Sequence, residues 1–246
     1  MEPLVLRSRL VTLTFDASDP RRVAAFWAEA LGWRVGSADD DDVELEPDEA
    51  TAFSLLFQRV PEPKVVQNRT HLDLTTSSVD DQADTVARLL AAGGRHVDIG
   101  QGPEETHVVL ADPEGNELCI IGPGNNFLAG CPRLGAVNCD GTARVGHFWS
   151  EVFGWPLVWD QDEETAIREP HRSGPLITWS GPPLMPKPGK NRVHFDIAPP
   201  AGGSQDAEVE RLLGLGATRL DIGQGDVSWV VMADPDGNEF CVLTPR

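Results

Sequence analysis

Two short patterns place titratable side chains where they can act together, and each occurs twice. His71-x-Asp73 returns as His194-x-Asp196, and Ala-Asp-Pro-x-Gly-Asn-Glu-x-Cys runs from Ala111 to Cys119 and again from Ala233 to Cys241. An imidazole and a carboxylate are the groups that move protons near neutral pH. His71 with Glu117, and His194 with Glu239, are therefore the candidate catalytic pairs. Residues two apart on a strand share a face, so Asp73 and Asp196 accompany their histidines. The competing reading is a structural His–Glu hydrogen bond inherited by both copies.

The rest of the chain repeats in the same order. Phe26-Trp27-x-Glu29-x-x-Gly32-Trp33 returns as Phe148-Trp149-x-Glu151-x-x-Gly154-Trp155, and Asp98 to Gly102 returns as Asp221 to Gly225. The offset is always 122 or 123 positions. One unit has been duplicated. The expected division is a first domain over residues 1–122, a Gly/Asn-rich linker over 123–132 and a second domain over 133–246.

Local signals give each repeat two similar halves. Leu10 to Asp16 is apolar and β-branched and predicts a strand. Asp19-Pro20 opens a helix that carries Val23, Phe26, Trp27, Ala30 and Leu31 on helical spacing and stops at Gly32. Strands are expected near Val43–Glu46 and Thr51–Gln58, then a Pro-rich loop from Val60 to Arg69. The second half starts again with a strand over Thr70–Thr75 and a helix over Asp80–Ala92. Strands follow near His96–Ile99, Thr106–Ala111 and Asn116–Ile121, the last two joined by a tight turn at Asp112–Gly115. Each half is β-α-β-β-β.

Paired βαβββ modules with a His at the start of the second module and Asp-Pro-x-Gly-Asn-Glu at its end resemble the vicinal oxygen chelate superfamily. Phe26 to Trp33, Asn191 to Asp196 and Ala233 to Phe240 are most similar to its glyoxalase-like and bleomycin-resistance-like branch. The resemblance implies an α+β fold of two tandem domains, each a curved mixed sheet of paired modules around a cup. It also implies that the His–Glu pairs face one another across those cups. Family metal ligands would come from the first and last strand of each module. His71 with Glu117, or His194 with Glu239, would supply two per cup. The first-module positions offer Thr12 and about Leu134, Leu55 and Ile177, which are not ligands. Asp73 or Asp196 would be the third donor if an ion were held. A catalytic divalent ion needs about three protein ligands, so no resident cofactor or metal is expected.

The expected function is small-molecule binding, one cup per domain, either as sequestration or as turnover by metal-independent His/Glu acid–base chemistry. The ligand would be an aromatic or oxygenated metabolite. The rivals are a metal-dependent lyase or dioxygenase of the superfamily and a non-catalytic interaction module. Thr12, Thr14, Asp73 and His107 are the expected ligand-binding residues of a polar first cup. Trp179, Asp196 and Trp229 are those of an aromatic second cup. Phe53, Phe57 and Trp159 also fall on strands and are candidate cup aromatics, whereas Trp27, Trp33, Trp149 and Trp155 belong to the helix motif and are expected in the core.

Bulk properties narrow the partners. The net charge is −19 over 246 residues, with 40% hydrophobic and 24% charged residues. Such a charge opposes nucleic acid and anionic membranes. No apolar run approaches the roughly 20 residues of a membrane span. Met1-Glu2-Pro3-Leu4 lacks the basic and apolar regions of a signal peptide. The four cysteines show no paired spacing, so Cys119 and Cys241 are expected to pack as small apolar residues in a reducing cytoplasm. A monomer or homodimer is expected. All three lysines, Lys64, Lys187 and Lys190, sit in the two Pro-rich loops, as basic lips or as ordinary solvated charge. Asp39 to Asp42 is expected as an exposed turn.

Overall fold

The computed structural model describes residues 7–102, 104–171 and 173–246. The reading of Met1 to Leu4 therefore lies outside the described residues. The chain forms four βαβββ modules. The first holds β1 (Arg9–Ala17), α1 (Pro20–Leu31), β2 (Arg34–Ala38), β3 (Asp42–Glu46) and β4 (Ser54–Arg59). The second holds β5 (Thr70–Thr75), α2 (Val79–Ala91), β6 (Arg95–His96), β7 (Val108–Ala111) and β8 (Glu117–Ile121). The third holds β9 (Leu134–Cys139), α3 (Ala143–Phe153), β10 (Leu157–Gln161), β11 (Glu164–Ile167) and β12 (Leu176–Trp179). The fourth holds β13 (Val193–Ala198), α4 (Gln205–Leu215), β14 (Thr218–Arg219), β15 (Val230–Ala233) and β16 (Glu239–Val242). No described helix is long and apolar enough to cross a membrane.

Local signals explain the elements. Asp19 caps α1 by accepting from the Arg22 N–H, Pro20 opens the helix, and Gly32 closes it at φ 72°. Ser78 does the same for α2 through the Asp81 N–H. Strand β2 was not expected from the sequence. It is an edge strand whose five residues are all exposed, so no buried alternation marks it.

The modules exchange partners between repeats. One eight-stranded sheet has the order β14-β15-β16-β13-β1-β4-β3-β2, and the other β10-β11-β12-β9-β5-β8-β7-β6. The first sheet joins modules one and four through antiparallel β1 and β13, the second joins modules two and three through β5 and β9. Neither sheet is built from a single sequence repeat.

A second set of contacts holds each repeat together. Asp112 accepts from the backbone N–H groups of Glu114 and Asn116, and also from Trp27 Nε1 at 3.0 Å. The neighbouring Glu114 accepts from the N–H groups of Ser18 and Asp19 at the start of α1. Asp236 accepts from the Thr142 N–H at the start of α3 in the same way. The duplicated Asp-Pro-x-Gly turn is thus a clamp on the helix of the preceding module. The carboxylate lies where the helix dipole favours it.

Alternation along the strands separates core from cup. Leu13 and Phe15 of β1, Leu55 and Phe57 of β4, and Leu72 and Leu74 of β5 are buried in the core that packs on the helices. Trp27 and Trp149 lie in that core as expected. Helix α3 approaches β11 and β12 so closely at Gly146 that an added Cβ would collide with the Thr165 side chain and meet Trp179 at 3.1 Å. Phe53, Phe57 and Trp179 also face the helices, which corrects their placement as cup aromatics. The odd–even phase of the short strand β12 puts Thr178, not Trp179, towards the cup.

Candidate functional site

The cup of modules one and four gathers the strongest donor set. Register pairs Thr12 with Asp196 and Thr14 with His194. Asp196 Oδ2 accepts from Thr12 Oγ1 at 3.0 Å and from Thr14 Oγ1 at 2.7 Å. Asp196 Oδ1 is buried without a hydrogen-bond partner and stands 3.4 Å from His194 Nε2. His194 Nδ1 is also buried and unpartnered. Cys241 completes the group: one donor atom each from His194, Asp196 and Cys241 lie within 4.8 Å of one another. A cavity of about 310 Å³ opens over them, lined also by Glu44, Leu56 and Trp229.

Electrostatics follow from this packing. Burial raises the Asp196 pKa, but the adjacent His194 imidazole and the threonine hydroxyls outweigh it and leave the carboxyl below its ordinary value. Burial, and then the Asp196 charge, push the Cys241 thiol up. A buried imidazole nitrogen without a partner, beside a buried carboxylate and a thiol, is a costly arrangement without an occupant.

The donor set fits a divalent cation of the zinc type. Atoms bound to one tetrahedral ion at roughly 2.0–2.3 Å stand somewhat over 3 Å apart, which matches the His194–Asp196 separation of 3.4 Å. His194, Asp196 and Cys241 would hold the ion, and the two threonines would orient the carboxylate from behind. A bound cation deprotonates a ligating thiol, which reverses the upward push on Cys241. The expected donors were His and Glu with Asp as a third; in each cup the Asp does stand with the His, but a Cys and not the Glu completes the group that could hold an ion. Cys119 and Cys241 are buried free thiols, as expected, and each also stands beside the His and Asp of its cup. Their signal was present, because Glu-x-Cys places Cys119 and Cys241 two residues beyond the glutamate on one strand face.

The cup of modules two and three repeats the triad with His71, Asp73 and Cys119. His71 Nε2 lies 3.3 Å from Asp73 Oδ1. Burial opposes the His71 charge, but hydrogen bonds to Asp73 and Cys119 win and push its pKa up to about 10. The surroundings differ. Asp73 lies opposite Ala136 and His71 opposite Asn138, so no hydroxyl pair backs the carboxylate as Thr12 and Thr14 do. Leu128 of the linker is buried against Ala136, Ala166 and Leu176, and Phe127 meets Trp159 edge-to-face at 5.7 Å.

Glu117 and Glu239 share the strand face of the cysteines but turn to the Pro-rich loops. Glu117 accepts from Lys64 Nζ at 2.6 Å and from the Asn68 N–H. Glu239 accepts from Lys187 Nζ at 2.5 Å and from the Asn191 N–H. The histidine partner in each cup is thus an aspartate, and the lysines lock glutamates instead of forming free basic lips. Lys190 likewise bonds Asp16 at 2.5 Å.

Module exchange also redistributes the expected ligand residues. The polar strand with Thr12 and Thr14 shares its cup with Trp229, whereas His107 immediately precedes β7 of the other sheet and lies 3.4 Å from Glu105. The division into a polar first cup and an aromatic second cup is therefore corrected. Leu55, Ile177 and Leu134 lie in the core, and the cup-facing residues beside them are Leu56, Thr178 and Ala136.

A search of curated proteins finds no match. Among solved structures, a mutant of glyoxalase I from Zea mays superposes with a TM-score of 0.63 at 14% identity, over 97% of this chain and 94% of that one. A putative dioxygenase from Bacillus subtilis gives 0.56 at 14% identity, over 96% and 84%. Both likenesses are of fold. The model of the glyoxalase-like domain matches twice, at residues 12–121 and 136–243, and so nearly the whole chain. Two such matches, on a chain of paired βαβββ modules, make it a member of the glyoxalase-like family.

Proposed function

We propose that this chain binds one small molecule per polypeptide, in the cup of modules one and four, next to a divalent cation held by His194, Asp196 and Cys241. The observation that carries this reading is the cavity of about 310 Å³ that opens on these three residues while His194 Nδ1 is buried without a hydrogen-bond partner and Asp196 Oδ1 meets only the His194 imidazole, at 3.4 Å. That volume is at the lower end of small-molecule sites, which begin at roughly 300 Å³. The cation would supply Lewis acidity towards a ligand oxygen. Thr12 and Thr14 hold the aspartate in place, and Trp229 offers an apolar wall. The other cup keeps the triad, but Leu128 occupies part of its floor, which is why one ligand per chain is proposed.

The test is thermal melting of protein stripped with chelator, titrated with zinc, nickel and manganese. Saturation at 100 times the dissociation constant stabilises by about 2.7 kcal/mol. A zinc-dependent rise in Tm is expected, reduced in Cys241→Ser. Melting unchanged by any of the three ions would refute the cation part of the reading. A cup that bound no member of a metabolite panel by isothermal calorimetry would refute the ligand part.

A further inference from the structure

The wall of this cup across from the triad is acidic, and no ion pair among the described residues engages its carboxylates. Asp42 and Glu44 of β3 line the cavity with Gln58 of β4. Glu44 accepts only from hydroxyls, Ser54 Oγ at 2.5 Å and Ser37 Oγ at 3.2 Å. Asp42 Oδ1 is buried with no hydrogen-bond partner. Neither carboxylate forms an ion pair among the described residues, and Arg246 is the one Lys or Arg among those that line the cavity. Burial raises the Asp42 pKa, and the neighbouring Asp39 and Asp41 charges add to it. Such a carboxylate gains from an arriving positive charge. Trp229 lines the same cavity, and an indole face attracts cations.

The other cup keeps only part of this wall, with Glu164 at the position of Asp42 and no carboxylate at that of Glu44. Glu44 lies opposite Leu56 in the register, and the matching position opposite Thr178 is Ala166, which Leu128 covers. The residue matching Trp229 is His107. The pair of carboxylates facing an indole is thus a property of one cup, not of the repeat. The chain's charge of −19 would favour the approach of a cation and oppose that of an anion.

We infer that the ligand of this cup carries a planar cationic head with several N–H donors, of the amidinium, guanidinium or protonated aromatic amine class. The head is received by Asp42 and Glu44 against Trp229. This rests on the reading of the cup as the ligand site and adds the chemical class of the ligand.

Benzamidine, benzamide and benzoate have nearly one shape and differ in charge, so they separate the two questions. Binding is read at constant ionic strength by fluorine NMR of zinc-loaded protein carrying 5-fluorotryptophan, with the Trp229 resonance assigned by its loss in Trp229→Phe. Benzamidine is expected to bind at least about tenfold more tightly than benzamide, with benzoate weakest. In the double variant Asp42→Asn, Glu44→Gln, the ratio of benzamidine to benzamide should fall close to one. Equal affinity for all three, preference for benzoate, or a ratio that survives in the double variant would overturn the charge assignment and leave the cup as a site. No response of Trp229 to any of the three would overturn the cup itself, and the charge assignment with it.

Discussion

Asp196 shows how a single carboxylate is prepared for a partner. Its Oδ2 is satisfied by two threonines, so Oδ1 is the oxygen left for an occupant. Outer hydrogen bonds of this kind typically change metal affinity by 10–100-fold. Thr14→Val is therefore expected to weaken zinc binding by about tenfold, as read by competition with a chromophoric chelator, with Thr12→Val acting in the same direction. An unchanged affinity in the double variant would show that the threonines merely pack. Trp229→Ala should weaken a planar ligand by roughly 1–3 kcal/mol through lost burial and stacking. His-x-Asp and Glu-x-Cys were both legible as residues on shared strand faces. What could not be read was the direction in which each glutamate turns. That choice depends on Lys64 and Lys187, which reach Glu117 and Glu239 from loops about 50 positions away in sequence.

At the scale of elements, the duplicated turn and the linker do structural work. Asp112 serves Trp27 Nε1 and two backbone N–H groups at once. Asp112→Ala would leave these donors unsatisfied and should destabilise the chain by at least about 2 kcal/mol in urea unfolding. The junction between α2 and β9 is held by Asp81, which accepts from the Ser77 N–H and pairs with Arg133 at 3.1 Å. The Ser77 backbone hydrogen bond, opposed by partial burial and aided by Arg133, lowers the Asp81 pKa from 3.8 to about 2. A depressed carboxylate contributes stability that is fully present above its ordinary pKa and lost as pH falls through the folded value. Asp81→Asn should thus flatten the stability loss between about pH 4 and pH 2, measured as the urea midpoint against pH. An identical slope in both proteins would remove Asp81 from the junction. Helices and inner strands were readable because caps, Gly stops and alternation are local. Strand β2 and the seating of Leu128 were not, because exposed edges and linker residues carry no periodic signal.

For the whole molecule, the informative feature is that sheets and sequence repeats do not coincide. Each repeat carries the same strand signals, so its hydrophobic pattern permits β1 to pair with either β5 or β13. Only the assembled chain selects β13. The fold class was therefore legible, and the composition of each cup was not. One consequence is that residues 133–246 alone would expose the paired edges of β9 and β13. That fragment is expected to form a dimer by exchange of modules, seen by sedimentation equilibrium. A stable folded monomer of that fragment would contradict the need for a partner module.

X-ray absorption at the zinc edge addresses the site itself most directly. The sample is zinc-loaded protein carrying Cys119→Ser, which removes the thiol of the other cup. One sulfur scatterer with nitrogen and oxygen neighbours is expected, and that sulfur should vanish when Cys241→Ser is added. A zinc shell of nitrogen and oxygen alone in the first sample, or a sulfur that persists in the second, would contradict the assignment of His194, Asp196 and Cys241 as the centre of this protein's chemistry.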